Sequence, residues 1–403
     1  MLNPYFISIL IYLAVAILAA IDSSLVSLQL LPFVNGLRWI RVHMITLGVL
    51  TQLIFAISPM LVARRNGHEQ PFFRWDIWAL LNAGILALVY GISLINTPVI
   101  LLGGTLIFLA TGLLMAHLNA MKSKSESEMT SDDGHPNLGR KFYISGLAFF
   151  GLGIIIGTGL WLGWPAMLQM KVPIEVHIHA NNWGLMSLVF AGFLVDLYPH
   201  ITGRNFSNPK SINTIFWLMT LGALGLVLGP WTGEKFFTVP GLLMHVTATI
   251  WLLSNVIKPL RGDKLLRSPG IMHLTASYFW LLAPITAAPL VLLDVPGVAG
   301  AGIEANAPQA LIYGWVLQFG FALLPYFFSR AVNPNKKTHS LGGSWAAFWM
   351  VNLGGVLLWL SIFIEPISGL LHGSAYLLWA ASIAVIARQI WGMLPREVVR
   401  LVD

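Results

Sequence analysis

Residues 174–184 read IEVHIHANNWG and carry two imidazoles one residue apart, His177 and His179, followed by Asn181, Asn182 and Trp183. They open a long apolar run, where ionisable groups are rare and by default functional. Residues two apart on a helix point about 200° from each other. The two rings therefore serve centres on opposite sides of one helix rather than one shared ion. Neutral imidazole is the commonest metal ligand near neutral pH, so ligation is the first chemistry to consider.

The elements that must position these rings follow from composition. Of 403 residues, 57% are hydrophobic and 10% charged, and the apolar runs recur along the whole length. Runs of about 20 apolar residues match the hydrocarbon core of a bilayer. Continuous rather than alternating apolarity predicts helices. The expected fold class is all-α, a polytopic membrane protein with twelve transmembrane helices and a pseudo-threefold arrangement of four-helix units. The spans read as 4–22, 39–63, 74–95, 97–119, 142–168, 174–200, 212–230, 237–258, 269–293, 306–329, 343–364 and 371–393. The first reads as a helix of the mature protein, since it lacks the basic flank and polar cleavage region of a signal peptide.

Nineteen of the 23 Lys and Arg residues follow even-numbered helices or lie at the C-terminus. The other four are Arg38, Arg41, Lys171 and Lys235. The positive-inside rule puts both termini and the even-numbered connections in the cytoplasm. The net charge of +7 then reflects the anionic inner leaflet and gives no reason to invoke nucleic acid. The bilayer is the expected surrounding, and a bacterial or archaeal plasma membrane the expected location. There is no cysteine, which removes thiolate metal sites, disulfides and covalent C-x-x-C-H haem attachment.

Three segments look alike: HMITLGVLTQLIFAISP from His43, HANNWGLMSLVFAGFLV from His179 and QALIYGWVLQFGFALLP from Gln309. In each, glycine stands five residues after the first, at Gly48, Gly184 and Gly314. Pro59 and Pro325 add a match between the first and third. The offsets of 136 and 130 residues are close to one third of the chain, and the segments fall on helices 2, 6 and 10. This reads as one transmembrane domain, 1–403, with approximate repeats 1–120, 141–260 and 268–394. Residues 121–140 form a polar cytoplasmic loop that cannot build a core and is expected to be flexible.

Orientation sorts the eleven histidines. His68, His135 and His339 fall in cytoplasmic loops, and His117, His200 and His273 near cytoplasmic helix ends. The other five, His43, His177, His179, His245 and His372, lie in the outer parts of helices 2, 6, 8 and 12. For any one of them a hydrogen bond across a helix interface is a sufficient account. Five at similar depth point instead to a buried metal or haem. The expectation is one b-type haem (heme b) held by two imidazoles, His43 and His179, across the helix 2–helix 6 cleft. A second centre, haem or copper, is expected around His177, His245 and His372, three imidazoles with an open position for a diatomic ligand. Hydrogen-bonded helix packing is the competing account of His245 and His372. Asn181, Glu175 and Gln309, with Asn182, Asn306, Glu304 and Glu365 nearby, could orient imidazoles from outside or end helices in the interface. Trp161, Trp164 and Trp183 read first as an aromatic belt. In the cytoplasmic half Asp196 is the best intramembrane carboxylate, either a channel entry or an interfacial cap.

On these residues the chain resembles the haem–copper oxidase superfamily, near the NnrS-type proteins linked to nitric oxide. The resemblance spans the chain at the level of twelve helices, cytoplasmic termini and four-helix units. It implies that His43 binds low-spin haem and that His177 or His179 corresponds to a copper ligand on helix 6. It also implies redox work with a small gas, nitric oxide or oxygen, or with quinol, and a partner redox subunit. The sequence departs from it on helix 7, which has no histidine, and on helix 10, which begins NAPQ instead of carrying an H-x-H pair. The usual oxygen-reducing ligand set cannot be assembled, so haem binding is implied more securely than oxygen reduction. A membrane transporter with parallel internal repeats also fits the intramembrane polar residues, as does a non-catalytic subunit that holds haem or metal. Nothing supports phosphoryl transfer or hydrolysis.

Overall fold

In the computed structural model, residues 3–66, 71–121, 138–293, 295–333 and 339–394 are described. Twelve helices among them are long and apolar enough to cross a membrane. They are α1 (Pro4–Ser27), α2 (Trp39–Arg65), α3 (Trp75–Ser93), α4 (Thr97–Ala120), α5 (Gly139–Leu162) and α6 (Pro173–Thr202). They continue as α7 (Pro209–Thr232), α8 (Lys235–Leu260), α9 (Pro269–Leu292), α10 (Gly300–Val332), α11 (Trp345–Phe363) and α12 (Glu365–Trp391). No strand occurs among the described residues. The protein is an all-α polytopic membrane protein. Of the expected flexible loop, residues 122–137 lie outside the described set, as do His68 and His135.

Helix ends follow local chemistry. Asn3, Asn96, Ser268 and Ser344 accept from first-turn amides of α1, α4, α9 and α11, satisfying donors that have no intrahelical partner. Gly203 and Gly233 close α6 and α7 in the left-handed region, at φ 64° and 80°. Several boundaries differ from the hydropathy reading: α10 begins six residues before 306 and α12 six before 371, and two other ends have a local cause. α1 runs five residues past 22, because Ser23 and Ser27 turn their hydroxyls onto the carbonyls four residues back and so do not interrupt the helix. α5 stops at Leu162 because Gly163 takes φ 76°, and a separate short turn, Trp164–Met167, follows.

The chain forms two compact units, divided between Leu53 and Ile54 and again between Arg261 and Gly262. In the first unit α1 packs on α12, α9 on α10 and α11 on α12. In the second, α3 pairs with α4, α7 with α8, and α5 packs on both α4 and α6. Burial separates the helices sharply: in an apolar 18-residue stretch of α2, α6 and α10, 78%, 83% and 94% of residues are buried, whereas no other span exceeds 50%. These three are therefore protein-facing, and the rest present a face to lipid, as exposed Leu18, Leu86, Trp217, Leu243 and Trp349 show.

The enclosed helices share a local distortion. Each contains a π-helical segment, Met44–Leu50, Ala180–Met186 and Ala310–Leu317, beginning one residue after His43, His179 and Gln309. Each segment holds the glycine at the fifth position, and that glycine meets an aromatic ring of the preceding odd-numbered helix. Gly48 meets Tyr12 of α1, Gly184 meets Phe149 of α5, and Gly314 meets Trp280 of α9. A Cβ on Gly48 would lie 2.9 Å from Tyr12 Cγ, and the other two would approach more closely still. Glycine is required there by close approach, with no demand on φ.

Candidate functional site

In the second unit α6 presents its two imidazoles to different neighbours. His177 turns to α5, where its Nδ1 lies 2.9 Å from the Gly153 carbonyl and its ring rests on Gly157. A Cβ at Gly157 would fall 2.6 Å from His177 Cε1, so the absence of a side chain lets the ring reach the α5 backbone. Asn181, one turn on, packs on Gly153 and donates to the His177 carbonyl at 2.8 Å. Glu175 lies in the first turn of α6.

His179 turns to α7, its Nδ1 2.6 Å from the Leu226 carbonyl. The reason that carbonyl accepts is written in α7 itself. Its helical donor would be the amide of residue 230, which is proline and has no N–H. The orphaned carbonyl takes the imidazole instead.

His245 on α8 is fully buried, its backbone against Gly222 of α7. Its ring and that of His179 both make edge contacts with the Trp183 indole, at centroid distances of 5.1 and 6.4 Å. Thr249 Oγ1 donates to the His245 carbonyl at 2.9 Å and lies 3.5 Å from His245 Nδ1. His245 Nε2 is buried with no hydrogen-bond partner among the described residues.

The first unit holds the other two. His43 stacks on Trp39, with centroids 4.1 Å apart and planes 9° apart, and its Nδ1 is 2.8 Å from the Trp39 carbonyl. His372 places Nδ1 2.8 Å from Ser27 Oγ, whose own proton goes to the Ser23 carbonyl. Gln309 accepts from the Tyr376 hydroxyl through Oε1.

Three of the five rings share one property. In His43, His177 and His179 the near partner of Nδ1 is a main-chain carbonyl, whereas in His245 and His372 it is a hydroxyl, which can donate or accept. In those three Nδ1 carries the N–H, and in the neutral imidazole the lone pair sits on Nε2. That is the tautomer in which a histidine ligates a metal through Nε2 while an outer oxygen holds the ring. His273 is the opposite case: its Nε2 faces the Ser344 carbonyl at 3.2 Å, and Nδ1 is unpartnered. The donor set is thus neutral imidazole nitrogen, which suits haem iron or copper. The orphaned buried Nε2 of His245 is consistent with such a partner. Among the described residues no three His, Asp or Glu side chains are grouped so as to hold a bare metal ion.

The remaining candidates are placed more simply. Glu304 and Glu365 are exposed, and Trp161 is 38% exposed. Trp183 is buried, with its ring against His179 and His245. Asp196 is buried on α6, accepting from Tyr143 of α5 at 2.7 Å with Arg65 Nε 3.7 Å away. The outer groups that orient the imidazoles, Gly153, Leu226, Thr249 and Ser27, were not singled out by sequence reasoning, and only Pro230 offered a readable signal. Compared with known proteins, the chain matches no family model and no curated protein.

Proposed function

We propose that this chain is a haem-binding membrane protein that exchanges electrons or binds a small gas, with its termini in the cytoplasm. The observation that carries the reading is the Nδ1–carbonyl contact of His43, His177 and His179, which leaves the lone pair on Nε2. A carbonyl on Nδ1 is the outer contact with which a histidine ligand presents Nε2 to a metal. An iron porphyrin asks for one or two imidazoles and is preferred to copper, which would ask for three. Bound there, haem would supply one-electron chemistry and, at an open axial position, a seat for a diatomic molecule.

His179 is the first choice of ligand in the second unit. The Leu226 carbonyl fixes its ring, and Trp183 makes edge contacts with both it and His245. His43 is the first choice in the first unit, its ring held by Trp39. The resemblance to haem–copper oxidases and NnrS-type proteins supports His43 as a haem ligand.

The test is spectroscopic. Purified protein should show a Soret band and dithionite-reducible α-band. His179→Gly should lose or shift them, with added imidazole restoring the native spectrum, while His273→Ala should leave them unchanged. A native chain expressed with ample haem that shows no such bands would refute the reading.

A further inference from the structure

Arg41, on α2 two residues before His43, is a guanidinium with no carboxylate partner among the described residues. Its Nη1 donates to the Tyr376 hydroxyl of α12 at 3.3 Å, and its Cζ lies 5.0 Å from the centroid of that ring. Tyr376 passes its own proton to Gln309 Oε1 on α10. Tyr313, also on α10, reaches the Arg41 carbonyl at 3.5 Å and stacks on Trp379 at 4.2 Å, with planes 5° apart. Side chains from two neighbouring helices of the first unit thus hold this cation at one place.

What they do not provide is a counter-charge. Arg41 Nε is buried with no acceptor, and no ion pair of Arg41 occurs among the described residues. Arg41 is half-buried near the start of α2, and ionisable groups in membrane-spanning helices mark ligand or ion sites. The same chain shows what this edge of an arginine does when a carboxylate is present. Arg74 grips Asp76 through Nε at 2.8 Å and Nη2 at 2.6 Å. In Arg41 Nη1 is given to Tyr376 and Nε is left without an acceptor. Two parallel N–H groups match a carboxylate or a similarly small oxyanion.

We propose that Arg41, positioned by Tyr376 and Gln309, binds the carboxylate of a small acid or a comparable small oxyanion. This goes beyond the proposed function and does not depend on haem. Two sources share the chemistry, a water-soluble acid and the head-group carboxylate of an acidic lipid such as phosphatidylserine.

The experiment uses the full chain in nanodiscs of phosphatidylcholine. Sodium formate is titrated against sodium chloride at equal ionic strength, and tryptophan fluorescence and thermal unfolding are followed. The native chain should respond saturably to formate. Arg41→Gln should raise the formate midpoint by about tenfold or more, as expected for loss of a charged bidentate contact. Tyr376→Phe should raise it several-fold by releasing the guanidinium, and Arg74→Gln should not move it. In phosphatidylserine nanodiscs a weakened formate response supports the site with the lipid head group as occupant, and an undiminished one supports it with a soluble acid. No saturable response in either lipid, or a native midpoint in folded Arg41→Gln, overturns the proposal. If Arg41→Gln does not fold, an unchanged midpoint in Tyr376→Phe overturns it.

Discussion

Asp196 and Tyr143 show how a single pair can be weighed inside this bundle. The Tyr143 phenol is fully buried and donates to Asp196 Oδ2, while Oδ1 has only the Arg65 Nε at 3.7 Å, beyond hydrogen-bond reach. A buried carboxylate that loses its donor keeps its desolvation cost. Tyr143→Phe should therefore destabilise the protein by about 1–3 kcal/mol, read as a lowered unfolding midpoint in detergent. The same change on an Asp196→Ala background should cost clearly less, because neighbours in one contact are not additive. Equal costs in both backgrounds would mean that the phenol only fills space. At this scale the places of the five imidazoles within helices α2, α6, α8 and α12 were legible, since residue type and position in an apolar run suffice to mark them. Their acceptors were not. Gly153 and Leu226 act through main-chain oxygens on other helices, and a backbone carbonyl has no letter in the sequence. Pro230 is the exception, since a proline four residues on declares that the Leu226 oxygen has lost its helical donor.

Helices α2, α6 and α10 carry the same device at the scale of the element. A widened π turn follows His43, His179 and Gln309, and the glycine within it receives a ring from the helix before. Short π segments inside α-helices are frequent at functional sites, and two of these three follow a candidate ligand directly. The contact at Gly184 tolerates no side chain, because a Cβ would collide with Phe149. Gly184→Ala should cost about 1–3 kcal/mol through overpacking. Gly112→Ala on α4, where nothing lies within 4 Å, should be neutral or gain up to about 1 kcal/mol in helix propensity. Thermal unfolding of the two variants side by side tests the difference, and similar effects would mean the ring contact yields easily. The glycine spacing was readable because close packing restricts residue type. The π geometry was not, because no residue at 44–50, 180–186 or 310–317 is one that only a wider turn accepts. The helix limits missed at α1 and α5 have the same origin: a serine that bonds its own helix looks like a terminus, and Gly163 inside an apolar run looks like a helix residue.

For the molecule as a whole, hydropathy made twelve spans legible because a bilayer imposes one length and one polarity on every crossing. Orientation rests on a different physical effect, the retention of Lys and Arg on the cytoplasmic side. The two connections Leu94 and Lys264 occupy, after α3 and after α8, should face opposite sides of the membrane, since basic residues crowd the second and are absent from the first. Both positions are exposed, and the chain has no cysteine, so a single introduced thiol is the only one that a maleimide can find. Leu94→Cys should react with a membrane-impermeant maleimide in intact cells. Lys264→Cys should react only after the membrane is opened. The reverse pattern would turn the molecule over and put the five imidazoles, and the Arg41 site beside His43, in the cytoplasmic half. A gas or acid arriving from outside the cell would then have to cross the bundle before meeting any of them.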